Sequence, residues 1–367
     1  MKAWVREKLK QINELYPKER LEKSKARYRS LWAGATPDDR YPFTLIPASF
    51  DYYNDVMDKE TGLKSYLDEF ICRGFVDDDF IPAFFPGCKP STIPGMFGAK
   101  EIVVGGDYSC ERILHKPEDI DYLPAPTISP GTPAHDWLEI QKYYQDECEG
   151  LIPVHVCDMQ GPMDVCGKLF GYENMFICAY EDEERFHKLM DILGDAFQML
   201  WDKQKDLLGE NFVGTHLFGW SWIPENSAVT MSIDSLAMIS ADFFTSYYAP
   251  HIKNMAKRYN KLAVHSCGNF SAVIKDLSDI PKVTAINASQ MTVTQLLESG
   301  WHPSKTMILI EDYKNAPNIF ALAKKNNLHP DITFTGLWPQ NPPNSWEQHQ
   351  KQSITNKIKQ LHHYAAV

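Results

Sequence analysis

His265 and Cys267 stand two residues apart at the end of a short apolar run, Leu262-Ala263-Val264, and Gly268 closes the segment. Side chains alternate across a strand, so an imidazole and a thiol at this spacing point to one face. An imidazole nitrogen and a thiolate sulfur make half of a zinc site. The same pair also fits a core histidine beside a buried thiol, because cysteine is among the most buried residue types. Position favours chemistry: Gly268 marks an exit from strand to loop, and such exits carry binding and catalytic groups.

The elements that must hold this pair are legible as short apolar runs separated by helical stretches. The strand-like runs are Phe43–Ala48, Phe80–Phe85, Ile152–Cys157, Thr215–Trp220, Leu262–Ser266, Val283–Asn287, Met307–Ile310 and Asp331–Phe334. Between them, Glu181–Leu208 repeats Phe186, Leu189, Met190, Leu193, Phe197 and Leu200 at helical spacing, and Ser240 caps a helix running towards Tyr259. Gln290–Ser299 and Asn318–Lys325 are shorter helices. Apolar strands alternating with helices predict a parallel sheet buried on both faces, closed as a (β/α)8 TIM barrel. An open doubly wound sheet is the competing architecture, and no G-x-G-x-x-G follows the first strand to support it. The expected organisation is an N-terminal helical extension over 1–40, a barrel domain over 41–345 with a Pro- and Gly-punctuated insertion at 88–150, and a C-terminal helix over 346–367. A hairpin is expected around Ile102–Val104.

In such a barrel the active site gathers at the C-terminal strand ends. Those ends supply Ser49, Asp51 and Tyr52; Phe85; Asp158 and Gln160; Trp220 and Trp222; His265 and Cys267; Asn287; Glu311 and Asp312; Thr335 and Trp338. Glu311 is the carboxylate placed to complete a metal site with His265 and Cys267, the alternative being a solvated loop acid. Asp158, Gln160 and Asn287 are the candidate catalytic or positioning groups, although Asp158 also suits a helix N-cap. Tyr52, Phe85, Trp220, Trp222 and Trp338 are the candidate walls of a pocket for a small organic substrate, the last three forming an aromatic face suited to a methylated amine.

A formal charge of -11 over 367 residues offers no basic face to nucleic acid. No run approaches the length of a membrane span, and Met1-Lys2-Ala3-Trp4-Val5-Arg6 has no apolar signal region. The eight cysteines are scattered without framework spacing, so free thiols and a cytoplasmic location are expected.

These residues resemble the uroporphyrinogen decarboxylase superfamily, and within it the cobalamin- or corrinoid-dependent methyltransferases. The resemblance rests on Asp158-Met159-Gln160-Gly161-Pro162, on Ile239–Pro250 (ISADFFTSYYAP), on His265-Ser266-Cys267-Gly268 and on Thr335-Gly336-Leu337, and spans most of 40–345. It implies a (β/α)8 barrel, zinc held by His-x-Cys and a later cysteine, a thiol acceptor, a corrinoid carried by a partner protein, and often a homodimer. Thr335 stands where the later cysteine is expected, and no cysteine follows Cys267. The site is therefore completed by another residue, Glu311 being the first candidate, or is a degenerate pocket that only binds. The decarboxylase branch fits less well. Its Arg-rich segment is replaced by Pro47-Ala48-Ser49-Phe50-Asp51-Tyr52, its acid by Phe84-Phe85-Pro86, and its late histidine by Thr335. A lyase acting on a carboxylated small molecule through Asp158 remains the alternative reaction.

Overall fold

The computed structural model describes residues 1–48, 58–87, 89–105, 107–214, 222–224, 228–340 and 343–367, the side chains of Asp107 and Asn344 excepted. Tyr52 and Trp220, with Ser49 and Asp51, lie outside the described residues.

Two helices, α1 (Ala3–Leu15) and α2 (Lys18–Trp32), precede strand β1 (Phe43–Leu45). Helix α3 (Lys59–Arg73) leads to an extended segment at 80–85, followed by α4 (Thr92–Met96), an antiparallel hairpin of β2 (Glu101–Val104) and β3 (Asp107–Cys110), and α5 (Pro133–Glu147). Then come β4 (Val154–His155), α6 (Pro162–Phe170), α7 (Tyr172–Glu181), the long α8 (Glu183–Leu208), β5 (Phe212–Val213) and β6 (Val229–Ser232). Helices α9 (Ala241–Phe243) and α10 (Ala249–Tyr259), joined by a π-helical turn, precede β7 (Leu262–Ser266). The chain ends with α11 (Ser271–Ser278), β8 (Val283–Ala288), α12 (Val293–Glu298), β9 (Thr306–Asp312), α13 (Ala316–Asn326), β10 (His329–Thr335) and α14 (Gln348–Ala365).

Six strands form one parallel sheet in the order β1-β10-β9-β8-β7-β6. All five residues of β7 are buried, as a strand covered on both faces requires. β4 and β5 pair in parallel beside it. Single bridges extend the arrangement, Phe84 to Val154 and Gln160 to Ser232, so the whole is barrel-like. The fourth predicted strand, Thr215–Trp220, falls outside the described residues. Pairing at that place is made by β5 and, after a return of the chain, by β6.

Between β1 and the segment at 80–85, side chains replace much of the backbone ladder. Asp79 donates its N–H to Phe43 O at 2.9 Å, while its carboxylate accepts from Phe43 N at 3.1 Å. Leu45 N donates to the Asp78 carboxylate at 3.1 Å. Buried backbone donors need partners, and here aspartates supply them. Asp79 is fully buried and also receives Ser24 Oγ (3.0 Å), Arg27 (2.7 Å) and Arg40. Helix α2 thus lies over the N-terminal ends of the strands, and Trp32 Nε1 donates to Asp331 of β10 at 3.2 Å. Among the described residues, no helix is long and apolar enough to cross a membrane.

Candidate metal centre

Register alone aligns the site. Gln160 bridges Ser232, Ser232 pairs with His265, and His265 pairs with Asn287. Residues paired across parallel strands share a face, so these four side chains form one layer. Two residues further along, Asp234, Cys267 and Ser289 form the layer above. The pairing of β7 with β8 shifts by one residue between Leu262 and Ala263, from Leu262–Val283 to Ala263–Ala285. Without that bulge Ile286 would face His265; with it, Asn287 does.

Asn287 Nδ2 donates to Ile308 O at 2.8 Å, which fixes the amide and turns Oδ1 to His265 Nδ1 at 2.5 Å. An amide oxygen only accepts, so Nδ1 carries the proton and Nε2 keeps a bare lone pair. That nitrogen lies 3.5 Å from Cys267 Sγ and 3.5 Å from Asp234 Oδ1. One donor atom from each of Asp234, His265 and Cys267 lies within 4.8 Å of the other two, a three-residue group that could hold a metal ion. His265 is buried, whereas Cys267 is exposed, so the donors face an open side. Nitrogen, sulfur and carboxylate oxygen are each ligand types that zinc accepts, and three protein donors beside an open side is the number found in catalytic sites.

The turn holding Asp234 is pinned from beneath. Buried Asp164 of α6 accepts from Asp234 N at 2.6 Å and Ser235 N at 2.9 Å, and burial pushes its own carboxyl up to about 7. Asp234 Oδ1 in turn accepts from Cys267 N at 2.8 Å. Gly268, at φ +78°, lets the chain leave the site in a conformation other residues resist. Burial raises the Cys267 thiol; Ser289 Oγ at 3.6 Å opposes this and the nearby Asp234 and Asp158 charges add to it. A cation on these donors would favour the thiolate and so oppose that shift. Asp158, below it, accepts from Ser232 Oγ at 2.7 Å; burial raises its carboxyl, with Ser232 and His265 acting the other way.

The other predicted residues divide. Gln160 joins the layer, and its Oε1 is buried with no partner among the described residues. Asn287 is correctly on the inner face, yet both ends of its amide are spent on His265 and Ile308, so it orients a donor. Glu311 requires correction. It pairs with Phe334, one residue out of step with the Ile308 that faces Asn287, so alternation sends it to the opposite face. Its carboxylate accepts from Asn315 at 3.1 Å. Trp222 is also displaced: its ring packs on Tyr28 of α2, with Lys25 Nζ at 5.7 Å and Arg29 at 5.3 Å, at the N-terminal end of the strands. The chain returns to that end before β6, which the sequence reading did not foresee. Phe85 is buried, with its carbonyl accepting from Tyr66. Trp338 is half-buried, stacks on Trp346 at 5.2 Å and donates Nε1 to Ile46 O at 2.6 Å, tying the loop after β10 to the end of β1. Asp234 and Ser232 were missed, although Ser232-Ile233-Asp234 ends an apolar alternation with the same i, i+2 spacing as His265 and Cys267.

Replacing Asn287 with Leu removes the acceptor that fixes the His265 tautomer. Metal affinity should fall by about 10–100-fold, as for other lost partners of metal-bound histidines. Competition with a calibrated zinc chelator measures it, and an unchanged affinity would remove Asn287 from this role.

No protein-family model and no curated protein matches the chain by sequence. Among solved structures it is similar to a methyltransferase from Methanosarcina mazei, with a TM-score of 0.64 and 12% identity, over 92% of this chain and 98% of that one. At that identity the likeness establishes a shared fold.

Proposed function

We propose that this chain is a zinc-dependent enzyme of methyl transfer, moving a methyl group between a corrinoid on a partner protein, or a methylated small molecule, and a thiol. The observation that carries this reading is the convergence of Asp234, His265 and Cys267 beside an open side, with His265 Nε2 left bare by Asn287. The shared fold with a methyltransferase supports it, as does the resemblance to the corrinoid-dependent branch of the uroporphyrinogen decarboxylase superfamily. In this reading the barrel closes through β1 and the segment at 80–85, and Asp234 takes the place of the later cysteine.

A zinc ion on these donors would hold a substrate thiol as its thiolate, the nucleophile that methyl transfer needs. The chain's own residues do the rest. Asn287 keeps the proton on His265 Nδ1. Asp164 and the Cys267 amide hold Asp234 on the open side. Asp158, raised by burial, is suited to take the proton that a thiol gives up and to hold it on the carboxyl oxygen. Gln160 Oε1 offers an acceptor to a polar substrate group.

The test pairs metal analysis with a transfer assay. Purified protein should carry about one zinc per chain by the one-site reading, and should move methyl from a methylcorrinoid to a small thiol. Chelation should stop the reaction, and added zinc should restore it. A metal-free lyase working through Asp158 predicts the reverse: activity on a carboxylated substrate that survives chelation and is lost in Asp158→Asn.

A further inference from the structure

Helix α8 carries Glu183, His187 and Asp191 at intervals of four, so they follow one another along one stripe of the helix. Helix α10 brings His251 against that stripe, with His187 Nδ1 2.7 Å from His251 Nε2. Each ring turns its remote nitrogen to a carboxylate. His187 Nε2 lies 3.4 Å from Glu183 Oε1, and His251 Nδ1 lies 3.2 Å from Asp191 Oδ1.

A carboxylate accepts and does not donate, so in each neutral ring the proton belongs on the remote nitrogen. Two neutral rings in that state aim bare lone pairs at one another across 2.7 Å, which is repulsive. A cation between them, a proton or a metal ion, removes the conflict, as does an N–H···N hydrogen bond once one ring carries its proton on the facing nitrogen. The order carboxylate, imidazole, cation, imidazole, carboxylate is also how metal-bound histidines are oriented by their outer partners.

We propose that His187 and His251 form a second metal site, separate from Asp234, His265 and Cys267, for a divalent ion of the zinc, nickel and copper group. Imidazole suits those ions. The present spacing is that of a shared proton; bonds of about 2.0–2.1 Å to both nitrogens require a separation of roughly 3 Å or a little more. His251 is 6% exposed and held in place, but the His187 side chain is 30% exposed at the helix surface and is free to back away. A cavity of about 650 Å³ opens beside His251, lined by Asp191, Asp195, Asn254, Lys257 and Arg258 among others. Asp195 neutralises Arg258 at 2.9 Å. The cavity reaches the Asp191 and His251 side of the pair, and the partly exposed His187 ring opens the other side to solvent.

The test starts from the double variant Asp234→Ala/Cys267→Ala, which removes the first site whether or not the proposed function is right. Titrated with zinc, this protein should still bind about one ion per chain, and with copper(II) its electron paramagnetic resonance should show coupling to two nitrogens. His187→Gln or His251→Gln in that background should weaken binding by at least about 100-fold, and Glu183→Gln or Asp191→Asn by about 10-fold. His187→Gln changes a partly exposed side chain, and metal-free circular dichroism checks that the fold is kept. Absence of a bound ion in the double variant overturns the proposal, because the pair then shares only a proton. Binding that survives both histidine substitutions overturns it equally.

Discussion

In a His187→Gln background, which removes the second site, Asp234→Ala should strip zinc from the protein as completely as Cys267→Ala, while Glu311→Ala should leave it in place. The three donors are set by two strand ends and one turn, and each offers a single atom. Removing one leaves two donors in place of three, and zinc is then held far more weakly against water. Loss of an outer partner alone costs about 10–100-fold in affinity, so loss of a direct ligand should exceed about 100-fold and abolish methyl transfer. Glu311 lies on the opposite face and is engaged by Asn315, so its truncation touches neither. Metal content after dialysis against a weak chelator, with transfer activity on the same samples, gives the comparison. Zinc retained in Asp234→Ala and lost in Glu311→Ala would refute the assignment. Asp234→Asn is a useful intermediate: it keeps an oxygen near Cys267 N but removes the charge, so binding should weaken without vanishing.

How far the sequence anticipated this site depends on which property is asked of it. Alternation along one strand is visible in the chain, and it put His265 and Cys267 on one side, where Nε2 and Sγ lie 3.5 Å apart. Parallel, doubly buried strands were also legible, because short apolar runs such as Leu262–Val264 in β7 and Met307–Ile310 in β9 recur between helical stretches. Register between strands is not written in any one segment. The bulge that moves Asn287 opposite His265 depends on where β7 and β8 dock, and a shift of one residue exchanges every face. Glu311 failed for that reason: it ends an apolar run, as a rim acid should, but alternation counted from the paired Ile308 puts it outside. The fourth predicted strand, Thr215–Trp220, lies outside the described residues; the run that pairs with β7 is Val229–Ser232, a shorter one that delivers Ser232 and Asp234. Trp222 is placed against Tyr28 of α2, a contact across the fold that nothing local in the sequence shows.

Asp79→Ala should destabilise the protein by about 3–5 kcal/mol, the usual cost of breaking a buried ion pair by removing one partner. The site lies at the opposite end of the strands from the metal centre, so the effect tests the fold and not the chemistry. Arg27 keeps Asp39 at 2.5 Å as a second partner, but among the described residues Arg40 is left with the Tyr41 carbonyl at 3.1 Å and the Phe43 ring at 4.8 Å, and no carboxylate, for a buried charge. Phe43 N also loses its acceptor, at the point where β1 has no continuous ladder on that side. Both losses are desolvation penalties, and they fall on the same junction. Asp79→Asn should cost less, since an amide oxygen still accepts from Phe43 N while the charge is gone. Asp279→Ala, which breaks an exposed i, i+4 pair with Lys275, should leave the urea midpoint unchanged. Urea unfolding of the three variants separates the possibilities: if Asp79→Ala shifts the midpoint no more than Asp279→Ala, the carboxylate is not what joins β1 to the segment at 80–85. A large shift with transfer activity intact in the remaining folded protein would show that the aspartate pair at 78 and 79 acts as a piece of the sheet, made from side chains where the backbone ladder is thin.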